Sequence, residues 1–75
     1  MENMLRALKI TRDEKGQSNT GTLMTLFNST REQANELIDY LEEEGYIHVQ
    51  RKTADGYRRG LKLTSTGINF ITKPK

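Results

Sequence analysis

Between Thr22 and Gly45 the sequence runs through a short apolar segment, two polar residues and a long amphipathic stretch that stops at a glycine. That order constrains the chain more than any other feature. In the long stretch Ala34, Leu37, Ile38 and Leu41 recur at i, i+3, i+4 and i+7, one stripe of an α-helix. Thr30 with Gln33 has the form of a reciprocal capping box. Ser29 with Glu32 repeats the form just upstream, so the helix start stays open between the two. Gly45 can turn left-handed and close the helix. Tyr46-Ile47-His48-Val49 then changes to period two, the spacing of a strand.

A short helix over 21–27, a turn at Asn28-Ser29, a longer helix, a glycine and a strand are the sequence form of a helix-turn-helix followed by a β-hairpin. Another small α+β domain with an αα-hairpin satisfies the same pattern. Leu23, Leu26 and Phe27 should face the core from the short helix. Upstream, residues 3–14 read as a first helix with Met4, Leu5, Ala7, Leu8 and Thr11 on its apolar side and Ile10 off the stripe. Lys15 to Gly21 is rich in turn formers, with room for a bridge-length strand in Gln17–Asn19. Its two glycines lack the spacing and the preceding strand of a phosphate loop.

The hairpin register follows from its apolar residues. Ile47 and Val49 share one face, and Leu61 and Leu63 share another. Both pairs reach the core only if odd residues oppose odd ones, because a one-residue slip reverses every side chain. A three-residue loop, Ala54-Asp55-Gly56, achieves this: it pairs 53 with 57, 51 with 59, 49 with 61 and 47 with 63. It also sets Gly56 at the left-handed loop position. The opposite face should then carry His48, Gln50, Lys52, Arg58 and Lys62, with Arg51 and Arg59 on the core side near the tip. Thr64-Ser65-Thr66-Gly67 opens a last short helix that should turn Ile68, Phe70 and Ile71 inward and end at Pro74.

Composition narrows the function. Seventy-five residues make one domain, 1–75, with a thin core. There is no cysteine and a single histidine, His48, so disulfides, thiolate metal sites and a cysteine nucleophile are excluded, and no metal or other cofactor is expected. No serine stands in a nucleophile elbow, and the solvated Glu42–Glu44 run makes no tuned acid–base pair, so the chain does not read as an enzyme. No run is long enough to span a membrane, and the N-terminus lacks the apolar core of a signal peptide; the expected location is cytoplasmic. The formal net charge is only +2, but it is unevenly spread. Residues 31–45 set one arginine against six carboxylates, and residues 46–75 set seven basic side chains against one aspartate. Such asymmetry points to a polyanion partner for the C-terminal third.

Three stretches carry a resemblance. Leu41-Glu42-Glu43-Glu44-Gly45-Tyr46-Ile47, Asp55 eight residues before Leu63, and Leu63-Thr64-Ser65-Thr66-Gly67 stand in the order and spacing of a winged helix-turn-helix. The chain resembles the DNA-reading core of MarR-like transcriptional regulators over about residues 22 to 71, with the helix-turn-helix at about 21–45 and the wing at about 46–64. Gly56 and Tyr57 stand where that family usually places arginines, and Arg58 and Arg59 follow slightly later. The long terminal helices that dimerise MarR-like proteins and form their effector pocket are not part of the likeness. The fold and docking mode are therefore carried over, and ligand sensing is not.

The resemblance implies a small α+β winged helix: three helices, a β-hairpin wing and a short C-terminal helix. It implies double-stranded DNA as partner, with the second helix of the motif entering the major groove N-terminal end first. Arg31 would bond guanine or phosphate, and Asn35 or Gln33 would read adenine. Ser29 and Thr30 would donate to a phosphate at the helix N-terminus. Arg51, Lys52, Arg58, Arg59 and Lys62 would lie along phosphates or enter the minor groove, with Tyr57 bonding a phosphate at the tip. A homodimer through residues 3–14, centred on Met4, Leu8 and Ile10, would double the site. The competing expectation is a winged helix that binds a protein through its acidic helix, since Glu32, Glu36 and Asp39 repel phosphate and fold does not decide function.

Overall fold

The computed structural model describes residues 2–72. Four helices and a three-stranded antiparallel sheet follow in the order α1 (Glu2–Glu14), β1 (Ser18–Asn19), α2 (Thr20–Phe27), α3 (Arg31–Glu43), β2 (Ile47–Lys52), β3 (Arg58–Leu63) and α4 (Ser65–Thr72). The strands lie side by side as β1-β3-β2. The expected bridge-length strand is β1, and it lends the hairpin a third partner.

The helix ends follow their local chemistry. Thr30 accepts from the Gln33 N–H, and the Thr30 N–H donates to Gln33 Oε1, both at 3.1 Å, so the capping box forms at Thr30 rather than Ser29. At the other end Tyr46 N–H bonds Leu41 O and Gly45 N–H bonds Glu42 O, the paired closure of a Schellman turn. Asn19 and Thr22 form a second capping box that starts α2.

The core joins Ala7 and Leu8 of α1, Leu23 of α2, Ala34, Ile38 and Leu41 of α3, and Ile47, Val49 and Leu61 of the sheet. Met4, Ile10, Leu26, Phe27, Leu37 and Leu63 pack against it half-buried. Leu8 lies wholly inside. Of the three residues expected to centre a dimer surface, it is committed to the protein's own core.

The register is the one the apolar pairs require: Ile47 opposite Leu63, Val49 opposite Leu61 and Arg51 opposite Arg59. Thr53 N–H donates to Tyr57 O across the loop, and Gly56 takes φ +86°. Two expectations fail. Ile68 was expected inside and is exposed, because Gly67 is the α4 residue that meets the sheet. Phe70 and Ile71, three and four residues on, share its side of the helix, and Ile68 does not. Phe70 stacks on Tyr46 with ring centroids 4.7 Å apart. Pro74 lies outside the described residues.

The second failure concerns the faces of the hairpin. Lys52 and Arg58 do not stand apart from the helices, although Lys52 stays exposed. They reach acidic residues of α3, and Arg51 and Arg59 line a depression with Gln50 and Gly60. The alternation is reset at Gly60, which stands mid-strand with φ +72°. There one step along β1 spans two along β3: Ser18 opposes Leu61, and Asn19 opposes Arg59. This is a bulge, and it turns the outer half of the hairpin relative to the inner half.

Candidate nucleic-acid interface

The hairpin tip is tied to the first turns of α3. Asn35 Nδ2 donates to Gly56 O and Asn35 Oδ1 accepts from Thr20 Oγ1, both at 2.7 Å. Thr20 Oγ1, fully buried, in turn accepts the Arg58 N–H at 2.8 Å. Four segments thus meet at one buried hydroxyl and one amide: the start of α2, the middle of α3, the hairpin tip and the start of β3. Arg31 adds a bond from Nη1 to Asp55 O at 3.3 Å.

Two ion pairs lie along the same seam. Arg58 grips Asp39 with two bonds, at 3.2 and 3.0 Å, and Lys52 Nζ stands 3.2 Å from Glu42. The acidic and basic blocks of the sequence therefore neutralise each other where α3 faces the hairpin. What remains outward on α3 is Glu32, Glu36, Tyr40 and Glu43, all exposed. These recur at i, i+4, i+8 and i+11, one stripe away from the core.

Asp55 organises the tip. Its carboxylate accepts from Thr53 Oγ1 and the Tyr57 N–H, and Arg59 Nη2 approaches at 3.4 Å. The Thr53 hydroxyl, then the Tyr57 N–H and the Arg59 charge, hold this carboxyl below its ordinary range against a smaller opposing desolvation. The Arg59 guanidinium also lies over the Tyr57 ring, 5.3 Å from its centroid.

The residues expected to contact DNA thus divide. Arg31, Tyr57 and Arg59 come together around Asp55 and Gly56. Arg51 and Lys62 are exposed and make no ion pair among the described residues. Arg58 and Lys52 are held by α3. Asn35 has both ends of its amide engaged and turns inward rather than toward a groove. Thr30 Oγ1 and Gln33 Oε1 serve the helix cap, leaving Gln33 Nε2 as the outward donor. Ser29 Oγ is shut away from solvent without a hydrogen-bond partner.

Sequence reasoning missed Thr20, Asp39 and Glu42 as partners of the hairpin. The capping pair Asn19 and Thr22 would have placed Thr20 at the helix start, but nothing local marks its hydroxyl as a junction. Among the described residues no cluster of His, Cys, Asp or Glu could hold a metal ion, and no helix is long and apolar enough to cross a membrane. Compared with known proteins, the chain matches no family model, no curated protein and no solved structure.

Proposed function

We propose that the protein is a winged helix that binds double-stranded DNA and acts as a transcriptional regulator. The observation that carries this reading is the docking of the hairpin tip on the first turns of α3 through Arg31, Asn35 and Thr20. It makes the helix end and the tip one rigid surface, as is needed to hold a helix end in a major groove while a wing lies on the adjoining backbone. On that surface Arg31 and Gln33 reach base edges, Arg59 and Tyr57 reach phosphate, and Glu32 accepts from cytosine. The neutralised Asp39 and Glu42 remove two of the carboxylates that would repel the duplex. The helix enters by its end, because its outward stripe is acidic.

Fluorescence anisotropy of a labelled random duplex, titrated at several salt concentrations, tests this. Affinity should fall by about 0.9 log units per phosphate contact for each log unit of salt. A duplex that does not bind at the lowest salt refutes it.

One observation favours a second reading. Tyr40 is 46% exposed between Glu36 and Glu43 on α3, which fits a protein partner with basic and apolar side chains. Under that reading Tyr40→Ala abolishes partner capture and leaves duplex affinity unchanged.

A further inference from the structure

The cations that α3 does not hold gather on another surface. Two depressions lie side by side and share Gly16. One, of about 430 Å³, is lined by Arg51 and Arg59 with the amides of Gln17, Asn19 and Gln50. The other, of about 230 Å³, is edged by Arg12, Lys15 and Lys62 around an apolar floor. Five basic side chains from the end of α1, the following loop and both hairpin strands therefore border this two-part hollow, joined at Gly16.

None of the five bonds to α3. Arg12 pairs with its neighbour Asp13, and Arg59 with Asp55 at 3.4 Å; Arg51, Lys15 and Lys62 have no acidic partner among the described residues. Asn19 uses its Oδ1 to cap α2, which leaves its amide N–H groups for the hollow. Gly60 lines the first depression, and a Cβ there would lie 2.9 Å from that of Gln50. Lys52 and Arg58 reach α3, whereas Arg51 and Arg59 line this side.

We propose that this hollow is a track for a nucleic-acid backbone that continues from the tip surface through Arg59. The proposal rests on the nucleic-acid reading above and adds Arg12 and Lys15, which no wing contact would include. From Lys62 to Arg59 the strand advances about 10 Å, enough to span two neighbouring phosphates of one nucleic-acid strand. The amides between the cations donate to phosphate oxygens, and the lack of any base-sized wall gives contacts that ignore sequence. Charge complementarity selects the occupant: the hollow is cationic, whereas the outward stripe of α3 is anionic.

The experiment compares the parent with Lys15→Gln/Lys62→Gln and with Arg31→Gln, using a labelled random duplex across a salt series. Both lysines are exposed, and circular dichroism melting should show an unchanged fold. The double variant is expected to lower the salt slope by about 1.8, two contacts at about 0.9 each, for every duplex tested. An unchanged slope with loss only in Arg31→Gln overturns the track and leaves DNA binding by α3 standing. A parent that binds no duplex overturns both. Inorganic phosphate should compete no better than chloride at equal ionic strength. Preferential displacement by phosphate overturns the backbone track in favour of a small-anion pocket.

Discussion

Replacing Asn35 by alanine removes the amide that joins α3 to two other segments. The variant loses the 2.7 Å bond from Thr20 Oγ1 and the 2.7 Å bond to Gly56 O. Each ordinary hydrogen bond contributes about 0.5–1.5 kcal/mol, and a buried polar group left without a partner costs about 1–3 kcal/mol. Thr20 is fully buried, so its hydroxyl proton has no water to turn to. The expected loss is about 2–4 kcal/mol, taken from the roughly 4–11 kcal/mol that a chain of this length holds at about 0.05–0.15 kcal/mol per residue. At about 4–8 °C per kcal/mol for a domain of this size, the melting temperature should fall by roughly 10–30 °C. Thr20→Val deletes the other half of the same junction, so the double variant should lose less than the sum of the singles, by about 0.5–3 kcal/mol. Hydrogen exchange at the Arg58 amide, which donates to Thr20, should speed up in both singles. An Asn35→Ala protein that melts like the parent and binds a different DNA sequence would refute the reasoning and return Asn35 to the groove.

Gly60→Ala should destabilise by about 1–3 kcal/mol, since its Cβ meets Gln50 and the left-handed φ disfavours any side chain; trimming Gln50 to glycine should restore only part of that in urea melts. Leu41→Ala, at a position 1% exposed, should cost about 2–5 kcal/mol, and a parent-like urea midpoint would contradict its place in the core. Asp55 is held below its ordinary value of 3.8 in the folded protein, so its contribution is present above that pH and is lost as pH falls through the lower folded value. Asp55→Asn should therefore flatten the acid limb of the stability profile, measured by urea midpoints from neutral pH downward.

The long helix, its cap to within one residue, its glycine stop and the hairpin register were legible in the sequence because each depends on neighbours. Capping needs residues three apart, and register needs only the parity of apolar positions and a loop with a glycine in the right place. The division of the basic residues was not legible. Parity carried Lys52 and Arg58 to the face away from the core, and their pairing with Glu42 and Asp39 of α3 leaves no periodic trace. Asn35 shows the same limit from the other side. Its helical position faces away from the apolar stripe, and nothing local says that the hairpin will fold back to cover it. Ile68 was misplaced for a related reason, since the approach of Gly67 to Tyr46 belongs to packing and leaves no periodic trace.

Because Asp39 and Glu42 hold Arg58 and Lys52, the strength of the hairpin's positive field is set from a different element of the chain. Exchanging Asp39 for asparagine would free a guanidinium without touching the hairpin, and exchanging Glu42 for glutamine would free an ammonium. Under the proposed DNA reading, the grip of the hairpin is therefore tuned by changes confined to α3.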